Sequence, residues 1–170
     1  MEDIRQYLLS DTTRLYGILD GASVPDLPMR LYESQLPNHC LLSGDLDPDL
    51  AYVAPYLVFL PPEHDFTEWV LGEGYGNHWG IFAHSRSSMT EMRKHFRALV
   101  SVSDEAGNPL HFRYYDPRVL RQFLPTCNPD ELITFFGRVD VFFAETGDGE
   151  NLLNFKVEND ELKQTELGSS

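Results

Sequence analysis

Six histidines, at positions 39, 64, 78, 84, 95 and 111, and two cysteines, Cys40 and Cys127, are the side chains best suited to proton transfer, nucleophilic attack or metal binding in this 170-residue chain. None of the histidines stands in a His-Glu-x-x-His spacing, and there is no Cys-x-x-Cys pair, so no local pattern puts two metal ligands on one face. A metal site would need long-range assembly. Gly-x-Ser-x-Gly is absent, and Cys127 falls at a turn between two helices with no local signature of an activated thiol. His111 with Asp116 or Asp20, or His78 with a carboxylate, is the kind of acid–base pair a small hydrolase could use. Any chain with six histidines offers such pairs, and structural histidines are the plainer reading.

Two loops invite ligand readings. In GEGYGNHWG (72–80) the glycines could let backbone amides cradle an anion. A nucleotide loop, however, runs from strand into helix, whereas this one leaves a helix and enters a strand, and no Lys-Ser or Lys-Thr follows. It reads as a connection, with Tyr75 between Gly74 and Gly76 as an exposed, adaptable anchor. Asp45, Asp47 and Asp49 resemble the opening of a calcium loop, but Leu50 and Tyr56 stand where Gly and a bidentate Glu are needed. A solvated acidic loop is the reading there.

The densest stretch is HFRYYDPRVLRQFLP (111–125). Alternation puts Leu110, Phe112 and Tyr114 on one face of a strand with His111, Arg113 and Tyr115 on the other. Asp116 then suits an N-cap and Pro117 the first helical position, with Arg113 as ion partner of Asp116. A strand-to-helix joint explains these residues without a ligand. Two arginines and two tyrosines at one strand end are also what protein-binding surfaces are enriched in. The residues alone leave both readings open.

The elements that must position these residues alternate in type. Ile4, Tyr7 and Leu8 have helical spacing, LYGILD (15–20) reads as a strand closed by Asp20-Gly21, and Pro25 opens a short helix carrying Leu27 and Leu31. CLLSG (40–44) is a short strand, and YLVFL (56–60), ended by Pro61-Pro62, reads as a strand buried on both faces. Asp65 with Glu68 caps a helix that turns Phe66, Trp69 and Val70 inward. WGIFAH (79–84) returns as a strand. Ser88 and Glu91 form a capping box for a helix with Met89, Met92, Phe96 and Leu99 at steps of three and four. Asn128, Pro129 and Glu131 start another helix, stopped by Gly137, and VDVFFAE and NLLNFKVEN are closing strands linked by Gly147-Asp148-Gly149. The expected fold class is α/β, a mixed β-sheet flanked by helices in a single compact domain: residues 1–144 hold the main unit, and 145–170 a closing strand and acidic tail. The final Gly-Ser-Ser reads as an added remnant.

Composition bounds the function. A chain with 42% hydrophobic residues can bury a sizeable core. With 27 Asp and Glu against 13 Lys and Arg, its formal charge of −14 repels phosphate backbones and anionic lipid heads. Nucleic acid and membrane are therefore poor partners. Two cysteines make no disulfide framework and read as small buried thiols. No basic-then-apolar leader opens the sequence, so the expected address is the cytoplasm.

Taken together, LYGILDGA (15–22), APYLV (54–58), WGIF (79–82), HFRALV (95–100) and above all FRYYDPRVLR (112–121) resemble the bacterial adaptor family classed as domain of unknown function four-one-two-three. Its members are chaperones of the type VI secretion system, called Tap or TEC proteins. The resemblance spans about Leu15 to Phe136. It implies a cytoplasmic, non-enzymatic protein without a cofactor, which binds a cognate effector and helps load it onto the VgrG spike. Many relatives resemble a longer chain with an additional C-terminal lobe. The family signature falls on Arg113, Asp116, Pro117 and Arg118, with Asp20, Pro55 and Trp79 as further matches. From it and the residue reading, Arg113, Tyr115, Arg118, Tyr75 and Trp79 are candidate partner contacts, and Asp20, Pro55, Asp116 and Pro117 are structural. The rival from another class is a hydrolase using His111 or His78. A purely structural subunit is a third.

Overall fold

In β1 (Arg14–Asp20), apolar side chains lie on both faces, because the strand runs through the interior of a sheet with a separate core on each side. Tyr16 and Ile18 enter one core, and Leu15 and Leu19 the other. The computed structural model describes residues 2–10 and 12–168. Seven strands follow the order β2-β3-β1-β4-β7-β8-β9, with β2 at Asn38–Cys40, β3 at Pro55–Phe59, β4 at Gly80–Ser85, β7 at Val141–Glu145, β8 at Leu152–Glu158 and β9 at Glu161–Leu167. β5 (Ser101–Ser103) and β6 (Pro109–His111) form a separate hairpin.

Helices cover both faces, as expected of the α/β class. α5 (Met89–Val100), α6 (Pro117–Phe123) and α7 (Pro129–Phe136) bring Phe96, Leu120, Phe135 and Phe136 onto the first core, where rings gather around Phe142. α1 (Glu2–Leu9), α2 (Leu27–Ser34) and α4 (Asp65–Glu73) bring Ile4, Leu8, Leu27, Leu31, Phe66 and Val70 onto the second. The short α3 (Pro48–Val53) buries none of its residues. No helix among the described residues is long and apolar enough to cross a membrane.

Every neighbouring pair in the large sheet is antiparallel, where alternation of strands and helices had suggested mixed pairing. β3 and β4, joined by α4, do run parallel to each other, but β1 lies between them and opposes both. The crossover helix is present, and the parallel contact it implies is not.

Local signals account for most boundaries. Ser88 with Glu91 and Asn128 with Glu131 form complete capping boxes, and Asp116 caps α6 with Pro117 next. At α4 the cap is His64, whose Nδ1 accepts the Phe66 amide at 3.1 Å, so Asp65 is the first helical residue and not the cap. The expected strand at 110–116 is shorter: β6 ends at His111, and the chain turns so that Tyr114 and Tyr115 are both buried while Leu110 is exposed. The segment read as an acidic tail contains β9, which forms a hairpin with β8. Asn159 and Asp160, both at positive φ, make its two-residue turn. Of the final Gly-Ser-Ser, Ser169 and Ser170 lie outside the described residues.

Candidate functional site

The residues separated most widely in the signature meet at one end of the large sheet. Asp20 ends β1, opposite Pro55 at the start of β3, and its amide donates to the Trp79 carbonyl just before β4 at 2.8 Å. The next amide, Gly21, donates to the Ala54 carbonyl at 3.0 Å. A Cβ on Gly21 would sit 2.4 Å from that same oxygen, so only glycine lets the two chains close there. Backbone pairing alone thus brings Asp20, Pro55 and Trp79 together.

Side chains lock the opening stretch of α6 onto this end. Arg113 Nη2 donates to Asp20 Oδ2 at 2.6 Å, and Asp20 Oδ1 accepts the Ala22 amide at 2.9 Å. The Ser23 hydroxyl donates to Asp20 as well. Asp20 is 2% exposed, whereas the Arg113 side chain keeps about half its surface in solvent. The expected Arg113–Asp116 pairing is therefore corrected. Asp116 is instead chelated by Arg118, whose Nε and Nη2 donate at 3.0 and 2.8 Å while its amide supplies the capping bond at 2.9 Å. Partial burial opposes the charge on Asp116, but these bonds from Arg118 hold its carboxyl below the usual carboxylate range. Tyr115 is buried under Arg113, its phenol pushed up to about 12 by burial and by the nearby Asp20 charge. The Tyr115 hydroxyl bonds His111 Nε2 at 2.8 Å, so His111 meets a phenol and neither Asp116 nor Asp20.

Capping and pH give a first test at this joint. Asp116→Ala removes an N-cap, at a cost of about 0.5–2 kcal/mol. Exposed Arg118 adds little to that. Because the folded carboxyl titrates below its unfolded value, its contribution is full above the ordinary carboxylate range and fades as pH falls through the folded value. The gap in denaturation midpoint between wild type and variant should therefore be widest near neutrality and close in acid.

Beside this cluster, the 74–78 loop is pinned from β7. Glu145, buried at the end of that strand, accepts the Gly76 amide at 2.7 Å and the His78 amide at 3.1 Å, and His78 Nδ1 lies against its Oε1. Arg121 of α6 donates to the Glu145 carbonyl at 2.5 Å. Trp79 is 8% exposed and packs on Trp69 with ring centroids 4.7 Å apart. Tyr75 is half-buried, not an exposed anchor: its hydroxyl is enclosed without a partner, and burial, with Glu145 nearby, pushes it up to about 12. Trp69 faces inward as expected but is only partly buried, packed against the second core with the Arg30 guanidinium 4.1 Å from its ring centroid.

A family model described as Domain of unknown function (DUF4123) matches residues 15–133, more than half of the chain. The chain belongs to the DUF4123 family. That family is associated with type VI secretion effector adaptors. No curated protein and no solved structure matches the chain. The matched span takes in Asp20, Pro55, Trp79, Arg113, Asp116 and Arg118, whereas Glu145, which fixes the 74–78 loop of this DUF4123 chain, lies beyond it. Glu145 escaped the sequence reading. Its one signal was an acidic residue closing an otherwise apolar strand, VFFAE.

Several of the remaining chemistry-bearing side chains have structural partners. His84 donates from Nε2 to the Leu8 carbonyl at 2.7 Å and His95 to the Phe135 carbonyl at 2.8 Å, while His64 caps α4. Burial lowers the His95 pKa, so the ring is held neutral. Cys40 and Cys127 are partly exposed, where small buried thiols were expected. Burial and the nearby Glu131 raise the Cys127 thiol to about 11, away from thiolate character. Asp47 of the acidic loop accepts the Asp49 amide and caps α3.

Proposed function

We propose that this protein is a non-enzymatic adaptor of type VI secretion, binding a cognate effector in the cytoplasm and promoting its loading onto the VgrG spike. The observation that carries this reading is the DUF4123 match over residues 15–133, whose signature residues form a cross-braced frame at one sheet end. Arg113 and Arg118 keep guanidinium surface exposed there and would line the rim of the contact, with buried Tyr115 beneath Arg113. Charge fits a protein client better than nucleic acid or lipid, because a surface at −14 attracts basic segments and repels phosphates.

Deleting the gene should abolish secretion of one effector while the secretion tube still assembles and fires, and the chain supplied in trans should restore it. Undiminished secretion of every effector would reject the adaptor role. A second reading, a small hydrolase, draws on His78 resting against the buried Glu145 carboxylate. Turnover by the purified protein that vanishes in His78→Ala would favour it.

A further inference from the structure

Five of the nine large exposed hydrophobic side chains among the described residues lie between positions 29 and 53, away from the signature itself. Met29 and Tyr32 stand three residues apart on α2, 60% and 81% exposed, and Leu50, Tyr52 and Val53 are exposed on α3. Helices normally turn such residues inward to repay the entropy of ordering them. Here one polar bond ties α3 to the start of α2, and others fix α3 on β3 and cap its first turn. The Tyr52 hydroxyl donates to Asp26 Oδ1 at 2.7 Å, the Tyr56 hydroxyl to the Ala51 carbonyl at 2.9 Å, and Asp47 caps α3. At its far end α3 runs straight into the Gly21–Ala54 closure that Asp20 and Arg113 brace. The result is an apolar and aromatic surface displayed on a fixed frame.

The charges that this segment itself carries are nearly all of one sign. Asp26, Glu33, Asp45, Asp47 and Asp49 are all exposed, and Arg30, the only Lys or Arg between 22 and 53, is laid over Trp69. A second copy of the chain would bring the same acidic rim against itself, and anionic lipid or nucleic acid would be repelled. We infer that the α2–α3 surface is the docking site for a cationic amphipathic segment of a protein partner, its apolar side chains seated on Met29, Tyr32 and Leu50 and its Lys or Arg side chains meeting the acidic rim. The inference rests on the adaptor reading, for which it names the client-binding surface and the chemistry of the client.

The test uses the full chain and a synthetic amphipathic helical peptide of leucine and lysine, with a leucine–glutamate peptide as control, followed by titration calorimetry. Met29 and Tyr32 are far enough exposed that Met29→Ser/Tyr32→Ser should leave the circular dichroism spectrum and melting temperature unchanged. The lysine peptide should bind wild type, the glutamate peptide should not, and the double variant, which keeps every charge, should bind about tenfold or more weakly. Equal binding by wild type and variant would show unspecific attraction to a −14 surface and overturn the proposal, as would no binding to wild type. So would a dimer in gel filtration that the double variant dissolves, since that would hand the surface to a second copy. A parallel pull-down with the toxin whose secretion is lost when the gene is deleted separates the two claims. Toxin captured equally by both proteins sinks the surface and leaves the adaptor reading standing; toxin captured by neither, with the peptide result intact, does the reverse.

Discussion

Trp79→Ala should lower the stability of the fold by about 3–5 kcal/mol, the range for removing a large buried aromatic side chain. The indole is buried against the Trp69 ring, and the chain has left room for it at Gly74, where a Cβ would lie 2.7 Å from the ring. For a domain whose whole stability is of order 5–15 kcal/mol, a loss of that size brings it near the folding threshold. Any fall in partner binding should therefore track the unfolded fraction measured by urea denaturation. Lost binding in a variant with an unchanged urea midpoint would return Trp79 to the direct contacts.

Asp20→Ala should be the next most damaging change, at about 2–4 kcal/mol. Its carboxylate satisfies the Ala22 amide, the Ser23 hydroxyl and the Arg113 guanidinium from a buried position. Truncation leaves those donors without an acceptor beside the Gly21–Ala54 closure, and the half-exposed arginine can turn to water, which keeps the figure below that of a fully buried pair. The damage should be local. Hydrogen exchange is expected to quicken in residues 21–24 and 52–55 and much less in β7 and β8. Uniform acceleration would mean that Asp20 supports the fold as a whole.

Much of this frame was legible in the sequence, because caps and turns are written locally. Ser88, Asp116 and Asn128 each start a helix where their side chains could take up the free amides, and the apolar run around β3 belongs to an interior strand. What escaped depended on partners distant in the chain. Arg113 lies close to Asp116 in sequence yet bonds Asp20, because the chain turns after His111 instead of continuing as a strand, and no local pattern reports that turn. Pairing direction was lost for a similar reason: strand–helix alternation says that β3 and β4 run the same way, but not that β1 sits between them. The hairpin of β8 and β9 was readable from Asn159-Asp160, but its many charges disguised an edge strand as a tail. Histidine and acidic clusters misled least, since capping and carbonyl bonds account for His64, His84, His95 and Asp47.

The central claim, that this acidic DUF4123 chain holds a protein client, is met most directly by the binding kinetics of the purified chain with the effector whose secretion is lost when the gene is deleted, at low and at physiological ionic strength. A field from −14 charges should speed encounter with a basic client, so the association rate should fall as salt is added. An apolar and aromatic contact should leave the dissociation rate nearly unchanged, because screened rim charges contribute little once the partners are docked. A saturable complex with that asymmetry is the result the account predicts. No complex at either salt concentration would contradict it.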